Sequence, residues 1–347
     1  MKKIVKVLIS RLQERTQKRT LRLIAIKDYP LYFGRTVRPD TFFWAKIYFH
    51  VVKFMHIRDY QKRKSTARLL ATANDQNISP ENGYLLDDLS KNEVVIRAME
   101  FCHRTASDIN IKGDEHAKTA KKPFLVNHFF DITQKTNAPI LDLACNAVLL
   151  SPISEYIGMI PVLQSAQLWY SPNTHFYGRS QMYHMDAEDY RQIKCYIFLD
   201  EVDRDSGPLT IIPAAKSRKV YKKLRQKGLT IYRNEKIRDE EIYSATSTTS
   251  AVQMIGEPGT VAFVDTCSCY HFGSRPGKRP RFLLHLHYYS PYSMEMPLWG
   301  RRFNQDVLDM NQHREDRQVR NLVLGLSHLN FPELRRRKES GRRENVV

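Results

Sequence analysis

The 347-residue chain has five cysteines, an odd number, and no CxxC pair among them. Neither a disulfide framework nor a zinc ribbon is therefore indicated, and a reducing, cytoplasmic compartment is the expectation. There is no long apolar run either. The stretch "APILDLACNAVLL" is too short for a transmembrane span and carries Asp142. The N-terminus opens with lysines, but Lys6, Arg11 and Glu14 interrupt the apolar stretch and no small-residue cleavage site follows, so no secretion signal is expected. Internal repeats, low-complexity linkers and the RNP, helix-turn-helix and zinc-finger patterns are missing too, so no specific nucleic-acid motif is read.

Acidic residues are in short supply. Thirty-seven Asp and Glu face 55 Lys and Arg, a formal charge of +18, while 42% hydrophobic and 27% charged residues are ordinary for a globular chain able to bury a core. Such an excess suits nucleic acid, an anionic membrane surface or an acidic substrate. Much of it lies at the two ends and around "RDYQKRKSTAR". Near the N-terminus Ile4, Leu8, Leu12 and Leu21 form a partial apolar stripe among basic residues, as in an interfacial helix or a solvated helix docked on its own domain. The tail "ELRRRKESGRRENVV" is polar, basic and expected to be disordered.

Texture divides the chain at residues 1–118, 119–292 and 293–347. The first part reads as a mostly helical region: "FFWAKIYFHVVKFMHI", "RKSTARLLATA" and "SKNEVVIRAMEFCHRTASDI" all have helical spacing. "NAPILDLACNAVLLSPISEYIG" reads as one further helix closed by Gly158. Beyond it, "IPVLQSAQLWYSP", "IKCYIFLDEV", "GPLTIIPA", "GTVAFVDTCSCYHF" and "RFLLHLHYYSP" are rich in β-branched and aromatic residues and punctuated by Gly and Pro. Short strands in that order predict an antiparallel barrel or jelly roll, followed by a C-terminal helical extension.

Within the β region, "YHMDAEDY" places His184 and Asp186 two apart, which puts both side chains on one face of an extended segment. His271 follows in "DTCSCYHF", and Arg281 begins the next strand. Two imidazole nitrogens and one carboxylate form the facial set that suits non-haem Fe(II), with positions left for a chelating co-substrate and O2. Arginine is fork-shaped and always charged, so Arg281 suits the outer carboxylate of 2-oxoglutarate; Arg275 and Arg279 are rivals in the Gly- and Pro-rich loop before it. His285 and His287, on the strand face of Arg281, are a second candidate metal pair or polar pocket lining. Asp265 is either an acceptor that orients His271 or a strand-end residue. Cys267 and Cys269 read as small core residues, and His50, His56, His103, His116 and His128 have no paired spacing.

From about Asn137 to Pro291 the chain resembles the phytanoyl-CoA dioxygenase family of Fe(II)/2-oxoglutarate oxygenases. The resemblance rests on "ILDLACNAVLLSPISEYIG", "HMD", "YIFLDEVDRDSGPLTIIPAAKS" and "GTVAFVDT" leading to His271 and Arg281. It implies a double-stranded β-helix, cupin-like in fold, with His184, Asp186 and His271 as iron ligands and Arg281 on the co-substrate. It also implies Gln167 and Tyr196 beside the co-substrate, with hydroxylation of a small-molecule or lipid-like substrate as the reaction. Because Asp186 keeps the carboxylate, halogenation is disfavoured. The chain departs from the family at Gly273, where a serine is usual and Ser274 comes one place later, and at "IIPAAKS", which lacks the usual "PGSH" turn. The alternative is an inactive basic barrel that binds an anionic surface or nucleic acid.

Overall fold

In the strand "RFLLHLHYY" every residue is buried, so both of its faces must be covered. The computed structural model, which describes residues 42–111, 123–172, 177–228, 235–293, 311 and 314–325, shows how. Strand β9 (Arg281–Tyr289) sits inside a six-stranded antiparallel sheet with β1 (Tyr84–Asp88), β2 (Val126–Phe129), β3 (Val162–Ser171), β4 (Gln192–Phe198) and β7 (Thr260–Val264). The order is β1-β7-β4-β9-β3-β2. A smaller antiparallel sheet has the order β6-β5-β8, from β5 (Thr210–Ile212), β6 (Val252–Gln253) and β8 (Tyr270–Phe272).

Strand alternation divides the large sheet's residues between two clusters. Phe282, Leu284, Leu286 and Tyr288 of β9, with Ile193, Cys195 and Ile197 of β4, belong to the main core under the helices. Leu283 of β9 and Tyr196 and Phe198 of β4 join Ile211 of the small sheet in a second core between the sheets. The helices over the large sheet are α1 (Phe42–Met55), α2 (Ile57–Leu69), α3 (Glu93–Asp108), α4 (Ala138–Ala144) and α5 (Ala147–Ile157). The start of α3 is set by the Asn92 side chain, which accepts from the Val94 and Val95 amides; its buried face is Val95, Ala98, Cys102 and Ala106, spaced one or two turns apart. On the outside of the small sheet lies α6 (Ala214–Gln226), whose Val220 and Leu224 pack with Ile212, Tyr270, Phe272, Tyr183 and Met185. Two short helices, α7 (Asp239–Tyr243) and α8 (Arg317–Val323), complete the described elements.

Two expectations change. The apolar run 138–157 is two helices, because Asn146 turns away and caps the second by accepting from the Val148 amide; Gly158, left-handed at φ 85°, does close it. The first part of the chain, read as mostly helical, also supplies β1 as an edge strand to the main sheet. Buried Arg63 of α2 pairs with Asp59 and donates to the carbonyls of Ile160 and Leu322, joining α2, the approach to β3 and α8. Helix α6, which begins inside the "IIPAAKS" segment, was not expected. Among the described residues no single helix is long and apolar enough to cross a membrane. The basic N-terminal stripe and the C-terminal tail lie outside the described residues.

Candidate metal centre

The site begins with a backbone pairing. His184 and His271 form an antiparallel bridge, with N to O distances of 3.0 and 2.9 Å, that extends the small sheet past β8. The Asp186 amide then donates to the Thr266 carbonyl at 2.9 Å, so the chain is held for both inward-facing residues. Met185, between them, points the other way, into the cluster with Val220 and Leu224. The strand alternation anticipated from the spacing is therefore present, and it brings all three side chains together in the buried space between the sheets.

The geometry fits one ion. The Nε2 atoms of His184 and His271 lie 3.9 and 3.7 Å from Asp186 Oδ1 and Oδ2. Two ligand atoms each about 2 Å from a metal can be at most about 4 Å apart, and both separations are within that span. Each ring is held from behind in the same way. Nδ1 of His184 is 2.9 Å from the Met182 carbonyl and Nδ1 of His271 is 3.0 Å from the Cys269 carbonyl, so Nδ1 carries the proton and Nε2 presents a lone pair. Burial, and for His184 the neighbouring His271, pushes both imidazoles below the usual histidine range, which keeps them neutral and ligand-competent. Asp265 does not orient His271: it accepts from the Tyr156 hydroxyl and from the Cys267 and Ser268 amides.

A residue not picked out in the sequence meets the carboxylate. Lys194, on the inward face of β4, places Nζ 2.5 Å from Asp186 Oδ2. Burial opposes the charge of Asp186, but Lys194 outweighs it and holds the carboxyl well below its usual range. Gln192, two residues earlier on the same face, donates to Thr266 Oγ1 at 2.8 Å and lies 3.4 Å from Asp186 Oδ2. The sequence signal was the row Gln192, Lys194, Tyr196: a lysine between two inward positions of a central strand.

Arg281 also points inward. Its guanidinium is buried, its Nη2 donates to Ser274 Oγ at 2.7 Å, and its Nε has no partner. No carboxylate pairs with it among the described residues, and burial brings its pKa down to about 10. The loop rivals are occupied. Arg275 grips Asp239 with two contacts of 2.7 Å, and Arg279 pairs with Glu201 and Asp203. A Cβ on Gly273 would meet Arg281 Nη2 at 3.6 Å, which puts the guanidinium beside the residue two places after His271. The serine displaced to 274 still serves the arginine, by adopting φ 57° and directing its hydroxyl to it. Tyr196 is buried on this inward face, opposite His285. Gln167 pairs with His285 from the other side, but its amide is engaged with Trp169, Ser165 and Asn127. His285 and His287 share the face but do not gather a third ligand; the His184, Asp186 and His271 cluster is the metal-type group among the described residues. His285 stacks on Trp169 at 4.0 Å, with both ring nitrogens unpartnered.

No family model matches the sequence, and no curated protein matches it. Solved structures with a similar chain trace include EctD from S. alaskensis with 2-oxoglutarate and 5-hydroxyectoine, at 20% identity over 62% of this chain and 78% of that chain with a TM-score of 0.46. The carbocyclase SnoK from nogalamycin biosynthesis, described as non-heme and alpha ketoglutarate dependent, gives 13% identity, 61% and 81% coverage and a TM-score of 0.41. HygX from Streptomyces hygroscopicus, with nickel and 2-oxoglutarate bound, gives 9% identity, 62% and 88% coverage and 0.40. The likeness is loose in every case, so what the site can do follows from its own side chains.

Proposed function

We propose that the protein is an Fe(II)- and 2-oxoglutarate-dependent dioxygenase on a double-stranded β-helix, hydroxylating a small-molecule or lipid-like substrate with release of succinate and CO2. One observation carries the reading: two neutral histidines and the ionised Asp186 gather between two antiparallel sheets that also bury the Arg281 guanidinium, which has no carboxylate partner among the described residues. A buried cation without a partner is costly, and a carboxylate of the co-substrate would relieve it. The resemblance to the phytanoyl-CoA dioxygenase family supports the same assignment.

When bound, iron with 2-oxoglutarate and O2 supplies an oxidant able to take hydrogen from an unactivated C–H bond. The chain does the rest. His184 and His271 present Nε2 in a fixed tautomer and, with the Asp186 carboxylate, would hold the iron. Arg281 would hold the outer carboxylate of 2-oxoglutarate, its guanidinium lying beside Gly273, two residues after His271. Tyr196 and Phe198 are buried in the core between the sheets and Trp169 packs against them, which supplies apolar surface there.

The test is anaerobic Fe(II) titration followed by succinate assay on purified protein. His184→Ala and Asp186→Ala should each abolish metal binding and 2-oxoglutarate turnover with the circular dichroism unchanged. Succinate release at the wild-type rate from either variant would end the triad assignment.

A further inference from the structure

Away from the metal site, a cleft of about 770 Å3 opens between α6, the segment around Tyr190 and the start of the described chain in α1. Its floor includes Met185 and Ser268, so it backs onto the far side of the segment that carries His184 and Asp186. Along α6, Arg218, Tyr221, Lys222 and Arg225 line it, at intervals of three, one and three residues. That spacing puts them on one stripe, alongside the buried face of Ala214, Ser217, Val220 and Leu224. Lys46 and Arg191 face them from the other wall.

These five cations differ from several others on the surface. Arg275, Arg279, Arg238 and Lys278 each have a carboxylate partner. Among the described residues Lys46, Arg191, Arg218, Lys222 and Arg225 have none, and no carboxylate lines the cleft. What holds them instead is tyrosine. Arg191 lies over Tyr156 and Tyr190 at 5.4 and 5.5 Å, Lys46 over Tyr190 at 5.9 Å and Arg225 over Tyr221 at 5.8 Å. Such contacts position a cation without neutralising it. The charge is concentrated in a concave, partly apolar site, and it is left free for a ligand.

The geometry points to a soluble, diphosphate-bearing ligand in this cleft. Residues one turn apart on a helix are about 5 to 6 Å apart at Cβ, so the α6 stripe presents cations in a row, as adjacent phosphoryl groups present anions. Guanidinium forks match phosphate oxygens in pairs. The tyrosine walls and the volume leave room for an organic body beyond the phosphates, and the concavity suits a small molecule better than a flat bilayer.

Calorimetric titration of the full chain with inorganic pyrophosphate at low salt tests this. One equivalent should bind, and the double variant Arg218→Ala/Arg225→Ala should raise Kd at least tenfold. Lys219→Ala is the control: it removes the same type of charge from an exposed position of α6 that does not line the cleft, and should change Kd less than threefold. Because the exchanged residues are exposed, the thermal midpoint should hold in all variants. A second arm measures sedimentation with vesicles containing phosphatidic acid against neutral phosphatidylcholine. No pyrophosphate binding, a loss in Lys219→Ala as large as in the double variant, or binding to the acidic vesicles alone would each overturn the proposal. Succinate release is not used as a readout, so failure here is separate from failure of the iron assignment.

Discussion

Lys194 Nζ rests 2.5 Å from Asp186 Oδ2, so the carboxylate that would serve a metal is already matched by a buried cation of the chain itself. Removing one member of such a pair leaves the other unpaired, at a cost of roughly 3 to 5 kcal/mol. Lys194→Met should therefore lower the unfolding free energy of chelator-treated protein by that order, and a divalent metal should restore much of the loss by giving Asp186 a new partner. Urea unfolding with EDTA and with Mn(II) reads both arms. An equal loss in each would mean that the lysine does not act through Asp186.

Among the described residues Arg281 has no carboxylate partner, whereas Arg275 and Arg279 do. Arg281→Ala is expected to raise the apparent 2-oxoglutarate constant at least tenfold, equivalent to about 1.4 kcal/mol, with Fe(II) affinity little changed. Lysine at 281 should recover only part, lacking the fork. Arg275→Ala should leave the constant as it is while weakening the loop that Asp239 anchors. A 2-oxoglutarate titration of the three variants decides between strand and loop.

Acid should destabilise the protein earlier than its carboxylates alone would dictate. His184, His271, His285 and His287 are all pushed below the usual range, burial being the largest cause in each case. In the unfolded chain each titrates near its ordinary value of about 6.5, so below that pH the unfolded state binds more protons and stability falls as pH falls toward the depressed folded values. Above that pH these residues are neutral in both states and contribute no slope. Calorimetric Tm should thus be flat near pH 7.5 and drop steadily toward pH 5, less steeply in His285→Leu. A midpoint constant across that window would contradict the neutral-histidine description.

The turn that delivers Arg281 is packed backbone against backbone. A Cβ at Gly277 would lie 2.1 Å from the Asp205 carbonyl oxygen, and one at Gly207, where φ is 59°, 2.2 Å from that of Arg275. Neither neighbour is a side-chain end that could swing aside. Gly277→Ala should cost about 1 to 3 kcal/mol in chemical denaturation; a neutral result would show that the turn has slack.

The strands β3, β4, β7 and β9 were legible because burial on alternating or both faces writes itself into Val, Ile, Leu and aromatic runs. The His184 and Asp186 pair was legible for a similar reason, since one strand period sets the spacing. What escaped depended on distant partners. The strand β1, "YLLDD", is half-buried and acidic, and only its pairing with β7 makes it a strand. The break at Asn146 lies in a run whose apolar residues continue on both sides. Choosing among Arg275, Arg279 and Arg281 required Asp239, Glu201 and Asp203, none of which is near them in the chain. Lys194 looked like a strand residue of no note until Asp186 stood opposite it.

The strand order of the large sheet has a consequence for synthesis. Tyr84 pairs with Val264, β4 with β7 and β9, and β3 with β9, so among the described residues β2 with β3 is the only pairing in that sheet between strands consecutive in the chain. As the nascent chain leaves the ribosome, β1, β3 and β4 emerge with open hydrogen-bonding edges and must wait for β7 and β9 to cover them. Closure of long loops precedes any reward from such contacts, which slows folding and prolongs exposure of apolar edges. Fragments that stop before Tyr289 should accordingly be captured by chaperones or aggregate during translation, while release of the last central strand lets both sheets, and the metal ligands between them, assemble together.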